Sequence, residues 1–524
     1  MGADGVPPRQ ARPTLVSGNL AVEGRSTQAG TPVKPSGEGV VCPTGCVDFL
    51  VAGDRMKTRL GLALLLAGVL AVPATADAFC GFYVSGATGK LFNNATQVVM
   101  MRDGQRTVLS MQNDYQGPPQ DFALVVPVPT VLQKEDVKTL PHAVFTRVDQ
   151  MGAPRLVEYW EQDPCYVPRV RRKYSGRVGG RGAPRDYAPK AKAKKPFVKV
   201  EARFEVGEYE IVILSSNDSG ALDGWLRAEM YNIPEGAQDA LRPYIEAGTK
   251  FFVARVNVAK VTFAGNRALL SPLRFHYDTP EFTLPVRLGL LNANGPQDLI
   301  VNILARNQRY EAANRANVTI PTNVVVGDKV RSQFGAFYNA LFDETLAQNP
   351  GAVVTEYSWA ANTCDPCPGP TLTGSDFQLL GADALGDRGA SGFVLTRLHA
   401  RYTQETMTED LVFRAAAPLV GGRGTPDRYG ELTQKGASPG NVNNFQGRYA
   451  ILHPWKGPVS CQSPSFGSWG GPPGNRGHRA ATVSPAAFVA KRRKIKLGSV
   501  VRQDVPEINL KAARKLRLKH KSKR

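Results

Sequence analysis

Apolar and polar positions alternate with period two over many short stretches, a pattern that predicts a strand-dominated fold. Thr96 to Arg102 and Arg106 to Gln112 are β-rich runs flanking Asp103-Gly104, a strong signal for a two-residue hairpin. Phe122 to Val128 is apolar throughout and reads as a buried strand. Further strands are expected at Leu156 to Trp160, ending at Asp163-Pro164-Cys165, and at Tyr209 to Leu214. Phe251 to Phe263, Phe282 to Leu291, Leu299 to Ala305 and Phe393 to Tyr402 follow, and Leu411 to Arg414 comes after a turn at Met407 to Asp410. Helical spacing is scarcer. It predicts Pro141 to Met151 (Val144, Val148 and Met151 inward), and Ala221 to Glu229 after Ser216-Asn217-Asp218-Ser219. It also predicts Gln238 to Ala247 (Leu241, Tyr244 and Ile245 inward) and Ser332 to Asn349. Strands do not alternate regularly with helices. The expected class is therefore α+β, with mixed or antiparallel sheets and three to five helices. No repeat of 20–50 residues is present.

Met56-Lys57-Thr58-Arg59 precedes an apolar run from Leu60 to Val72, then Pro73 and the small residues up to Ala78. This is the layout of a secretory signal peptide, with cleavage expected after Ala76 or Ala78. The apolar run is shorter than the ~20 residues a spanning helix needs. Residues 1–55 before it are a disordered extension or a mis-assigned start. The expected organisation is a signal at 56–78, core segments at 79–167 and 201–417, and a Gly/Pro-rich basic linker or insertion at 168–200. A Gly-rich region at 418–464 would hold an ordered island at Phe445 to Cys461, and 465–524 would be a disordered basic tail. The mature protein is expected to be exported, to the periplasm or beyond, without a transmembrane span.

Composition adds one point. The 524 residues are 42% hydrophobic, enough to build a sizeable core, while 52 Gly and 39 Pro fall short of a low-complexity chain. The net charge of +20 suggests a nucleic-acid binder until it is mapped. Arg169 to Val200 carries twelve Lys/Arg against Asp186 alone, a net of +11. Lys491 to Arg524 carries fourteen against Asp504 and Glu507, a net of +12. The rest is therefore nearly neutral. Such segments bind polyanions by releasing counterions, so the expected partners are anionic envelope polymers or lipid headgroups rather than a specific nucleic acid.

Of seven cysteines, Cys42 and Cys46 precede the cleavage site. Cys80, Cys165, Cys364, Cys367 and Cys461 remain. In an oxidising compartment they imply two disulfides and one leftover thiol, with the pairing open. Cys364-Asp365-Pro366-Cys367 has the spacing of a redox motif, but Pro368-Gly369-Pro370 prevents the helix that should follow. A structural disulfide pinning a loop is the plainer reading, and zinc would need two further ligands, such as His399 and Cys461.

Several stretches together resemble a family of exported bacterial proteins catalogued only as domain of unknown function 2330. They are Phe79-Cys80-Gly81-Phe82-Tyr83-Val84, Gln97 to Pro129, Arg155 to Cys165, Tyr209 to Trp225, Ser271 to Asn292, Cys364 to Cys367, and Thr396 to Leu411. The resemblance spans about 79–417. It implies an envelope or secreted location and carries over no catalytic residue.

The sequence has no His-Glu-x-x-His, Gly-x-Ser-x-Gly, phosphate-binding loop or Rossmann fingerprint. No cofactor and no metal is expected. Among six histidines, His399 alternates with Arg397 and Arg401 on one strand face, where it is either a structural residue or a base or anion contact; His276 has a similar setting. Glu158, Glu161 and Asp163 surround Tyr159 and Trp160, an arrangement with which a glycosidase could flank a sugar bond. Asn113, Asp114 and Tyr115, before Gly117-Pro118-Pro119, are a possible ligand-contact loop. The expected function is a non-enzymatic structural or binding protein of the envelope; the alternatives are a periplasmic hydrolase or a thiol-disulfide protein.

Overall fold

The computed structural model describes residues 82–84, 93–112, 123–165, 198–472, 481–483 and 495–518, apart from 230, 232, 235, 265–266, 387–390 and 404. The extension, the signal segment, Cys80, the 113–115 loop and nearly all of the basic insertion lie outside the described residues. In chain order the principal elements are β1 (Asn93–Asp103), β2 (Arg106–Met111), β3 (Ala123–Val128), α1 (His142–Gly152) and β4 (Arg155–Glu161). Then come β5 (Lys199–Val206), β6 (Tyr209–Ser215), α2 (Ser219–Ala228), α3 (Ala237–Glu246), β7 (Lys250–Val256), β8 (Leu273–Asp278) and β9 (Ala293–Arg306). The chain continues through α4 (Phe334–Gln348), β10 (Val353–Ala360), α5 (Gly374–Leu380), β11 (Phe393–Tyr402), β12 (Asn444–Gln446), β13 (Arg448–His453) and α6 (Leu497–Val500).

The class is α+β and strand-rich, with six α-helices among the described residues rather than three to five. Two of them, α5 and the single-turn α6, are not among the four that helical spacing predicted. β1 and β2 form the expected hairpin. Asp103 pairs with Arg106, so Gly104-Gln105 make the turn and Gly104 takes φ +58°.

An antiparallel sheet orders the strand Phe82–Val84, β3, β7, β6 and β5. Its outer face is covered by α2 and α3, through Leu222, Leu226, Leu241 and Tyr244 against Val125, Phe251 and Val253. Asp218 starts α2 by accepting the Ala221 N–H at 2.6 Å. The inner face packs Leu124, Val126, Ile211 and Phe252 onto Val98, Met100, Leu109, Phe275 and Val301 of a larger mixed sheet. That sheet runs through β12, β10, β11, β9, β1, β2 and β8, with β9 and β1 parallel. Its opposite face, including Val99, Met101 and Val108, is covered by α1 and α5. Burial on both faces is why β1 reads as a continuous apolar run from Val98 to Met101.

A third sheet pairs β4 with β13 in parallel, Arg155 opposite Arg448 and Trp160 opposite His453. α4 packs on it through Phe334, Phe337 and Leu341 against Leu156, Tyr449 and Ile451.

Three sequence expectations are corrected. Phe282 to Leu291 is mostly not strand: after Thr283–Leu284 it forms a 3-10 turn at Arg287–Asn292, where Pro285 and Gly289 interrupt any ladder. Lys199 and Val200, assigned to the linker, already belong to β5, which pairs along its length with β6. The largest correction is at the C-terminus. Residues 418–464 supply β12 and β13 to two sheets, and residues 495–518 are not a disordered tail. They form a strap whose Leu497, Val500, Val501, Val505 and Ile508 complete the core beneath α4, while Leu518 joins Tyr159, Leu432 and Trp469. From Leu497 to Ile508 buried apolar residues recur every one to four positions, and after that only Leu518 is buried. The Lys and Arg runs that flank this stretch, at 491–496 and 511–524, hide it in the sequence.

Candidate functional site

Arg397, His399 and Arg401 lie on alternate positions of β11 and share one face. Opposite them, β10 carries a bulge. Thr355 pairs with Leu398 and Tyr357 with Arg397, which leaves Glu356 as the extra residue between them. Glu356 reaches both cations: Arg397 Nε donates to its Oε2 at 2.7 Å, and His399 Nδ1 is 2.7 Å from its Oε1. Tyr338 of α4 also donates to Oε1. The chain of charges continues both ways. Arg397 Nη1 reaches Asp149 of α1 at 2.7 Å. His399 Nε2 lies 3.2 Å from Asp298 of β9, which also accepts from Arg401 at 2.7 and 3.1 Å. Arg401 also bonds Asp343 of α4. Seven side chains of alternating sign thus cross the core. Only the terminal acids, Asp149 and Asp343, are substantially exposed, at 34% and 43%.

Burial opposes every charge in the middle of this chain, and the partners outweigh it. His399 and Arg397 pull the Glu356 carboxyl down to about 2, and His399 and Arg401 bring Asp298 to about 2. Glu356 and Asp298 in turn raise the His399 pKa. His399 is 0% exposed and its ring stacks on Phe342 at 3.7 Å. The contact role offered for it is therefore corrected: a ligand cannot touch it, and its two nitrogens are engaged by Glu356 and Asp298. His276 is partly buried, 3.3 Å from Asp136, and burial lowers its pKa.

The acids of β4 do not flank a common substrate position. Residues three apart on a strand point to opposite faces, so Glu158 and Glu161 diverge. Glu158 is clamped by Arg331 at 2.5 and 2.7 Å and by His453 at 2.7 Å; these hydrogen bonds outweigh burial and lower its pKa. Trp160 stacks on His453 at 4.6 Å. Glu161 accepts the backbone N–H groups of Trp455 and Gly467 at 2.9 and 2.8 Å. Asp163 accepts the Cys165 N–H in a turn.

Two disulfides are formed, Cys165–Cys461 and Cys364–Cys367. The first joins the end of β4 to the segment after β13. The second closes a four-residue ring at the surface. Among the described residues no group of three or more His, Cys, Asp or Glu is arranged to hold a metal ion, and no helix is long and apolar enough to cross a membrane.

Sequence reasoning missed one open feature. A cleft of about 480 Å³ is lined by Tyr244, Arg287, Asn314, Glu409, Asp410 and Glu281, among others. Asp410 Oδ1 accepts from Tyr244 Oη at 2.7 Å and from the Val286 and Arg287 N–H groups at 2.9 and 3.2 Å. Arg287 stacks on Tyr244 at 4.7 Å. Burial, followed by the Asp410 charge, pushes the Tyr244 hydroxyl pKa well up, so it stays a donor. A carboxylate locked through one oxygen is a ready acceptor for a donor or cationic group. The signal for it was faint: Glu409-Asp410 in a turn before a strand. Glu356 had a better one, as a lone acid inside the otherwise uncharged run 353–360.

No curated protein and no solved structure matches the chain significantly. The model of one family, described as an uncharacterised protein conserved in bacteria (DUF2330), matches residues 73–414. With the larger part of its length matched, including the hairpin, the buried charge chain up to Arg401, the cleft and the Cys364–Cys367 ring, the chain belongs to the DUF2330 family of bacterial proteins.

Proposed function

We propose that the protein is an exported, non-enzymatic component of the bacterial envelope that binds anionic surfaces through its basic segments. The observation that carries this reading is the docked strap. Its apolar residues are anchored in the core, and Lys496, Lys511, Arg514 and Arg517 stand exposed between them. Lys511, Arg514 and Arg517 have no ion-pair partner among the described residues, whereas Lys515 is held by Asp504 at 2.5 Å. Fixed cations without a direct ion-pair partner, on a rigid support, lose little side-chain entropy on meeting a polyanion and gain from counterion release. Export is supported by the signal-like segment at 56–78 and by two disulfides, which persist in oxidising compartments.

The test is sedimentation of the full chain with isolated envelope material at low and high salt. The variant is Lys511→Glu with Arg514→Glu and Arg517→Glu. Wild-type association should fall as salt rises, and the variant should bind several-fold more weakly with an unchanged urea midpoint. Equal retention of variant and wild type would refute the proposal.

A further inference from the structure

The two disulfides differ in what they do for the fold. Cys165–Cys461 bridges residues 296 apart and ties β4 to the region after β13. Cys364–Cys367 bridges residues three apart and closes almost no chain. The chain entropy it removes from the unfolded state is correspondingly small. Nor is it needed to place its loop, which two buried side chains already hold by its carbonyls. Arg155 Nη1 donates to Pro366 O at 2.9 Å, and Gln446 Nε2 donates to Asp365 O at 2.6 Å. The Cys367 residue is exposed and Cys364 half-buried, so the ring can be reached from solvent.

The charge beneath the ring is unusual. Arg155 is 0% exposed, and all its hydrogen-bond partners are carbonyl oxygens, those of Met151, Ala153 and Pro366. Its Nε has no partner, and its guanidinium lies over the Tyr357 ring at 5.5 Å. It forms no carboxylate salt bridge, and the only acid that acts on it electrostatically is Asp365, inside the ring. A buried cation bonded to the residue between the two cysteines favours a thiolate there, as Lys, Arg and His⁺ do beside reactive thiols. It supplies the electrostatic help that a following helix would give, which Pro368 and Pro370 exclude.

We infer that Cys364–Cys367 is a thiol–disulfide exchange site that takes electrons from an external dithiol while Cys165–Cys461 holds the fold. In the first step the thiolate of the dithiol attacks Cys367 Sγ. A mixed disulfide forms, the Cys364–Cys367 bond breaks, and Cys364 leaves as a thiolate in the loop that Arg155 holds through Pro366 O. In the second step the remaining thiol of the partner attacks the mixed disulfide, closing its own disulfide and releasing Cys367. Two electrons and two protons pass from the dithiol to the pair, and the reverse sequence returns them. This site is independent of the binding strap and goes beyond the envelope-binding role.

The experiment treats the oxidised full chain with graded dithiothreitol, quenches it with an alkylating agent, and assigns modified cysteines by peptide mass. The Cys364–Cys367 pair should open at dithiothreitol concentrations at least tenfold below those that open Cys165–Cys461, with circular dichroism unchanged. A second measurement uses Cys364→Ser, which leaves Cys367 unpaired. With oxidised glutathione it should form a mixed disulfide at Cys367. If the two bridges open together, if the ring opens only as the chain unfolds, or if Cys367 of the variant captures no glutathione, the inference is overturned.

Discussion

Replacing Glu356 by glutamine tests whether the buried charge chain is held together as its geometry implies. The side chain is 0% exposed and accepts from Arg397, His399 and Tyr338 at once. Its carboxyl is held at about 2, against an ordinary 4.5. At about 1.4 kcal/mol per pH unit, the surroundings favour the ionised form by roughly 3 kcal/mol over the unfolded chain. Mutational experience with buried pairs agrees, since removing one partner costs about 3–5 kcal/mol. Glu356→Gln keeps the volume but strips the charge between two buried cations, so a loss of about 3–4 kcal/mol is expected at pH 7. The pH dependence gives a sharper check. The folded pKa of Glu356 lies below the unfolded one. Its contribution is therefore complete above about pH 4.5 and drains away as pH falls toward 2. Asp298, also held at about 2, behaves the same way. His399 runs oppositely: its raised pKa contributes fully below its ordinary 6.5, and the contribution is lost as pH rises through the folded value. Wild-type stability should thus peak near pH 5–6 and fall steeply on acidification. Urea unfolding followed by tryptophan fluorescence, at several pH values from neutral to acid, measures both effects. A variant within about 1 kcal/mol of wild type at pH 7, or one whose acid-side slope equals that of wild type, would refute the reasoning.

Cys165→Ser removes the constraint over 296 residues and should cost about 3–5 kcal/mol, while Cys364→Ser costs about 2 kcal/mol or less; paired denaturation curves decide between them. Asp218→Ala strips the cap from α2 and should lower stability by about 1 kcal/mol, with Asp218→Asn restoring most of it in the same assay. Gly422→Ala should be far harsher. Gly422 has φ +71°, and a Cβ there would drive into Gln446 O and Thr322 Oγ1, so soluble yield and thermal midpoint should both drop sharply.

The readable parts of the fold were those where one local rule acts alone. β11 begins and ends where alternation placed it, at Phe393 and Tyr402; α2 follows its Asp218 cap and spacing, and α3 its apolar spacing, each within a residue or two. The charge chain was half legible. The Arg-x-His-x-Arg alternation put three cations on one face, but their acids come from positions 149, 298, 343 and 356. Glu356 faces them only because a bulge breaks the period-two rule. The cleft was invisible for a similar reason, since Tyr244, Arg287 and Asp410 meet only after two layers have packed. The strap was hidden because dense charge on either side of an apolar stretch resembles a solvated tail. Anchoring needs only a short apolar cluster, and Leu497, Val500, Val501, Val505 and Ile508 provide it between two basic runs.

β4 waits for β13, its parallel neighbour, until nearly three hundred more residues have been made. The family match stops at residue 414, before β13 and the strap exist. A ribosome releasing the chain in order therefore leaves both edges of β4 and the aromatic flank of α4 without their partners until the C-terminal segments are made. β4 cannot settle into its final partnerships before then, and closure of its sheet is postponed by the chain's own connectivity. A version cut at 414 would leave Phe334, Phe337 and Leu341 uncovered and should be recovered as aggregate.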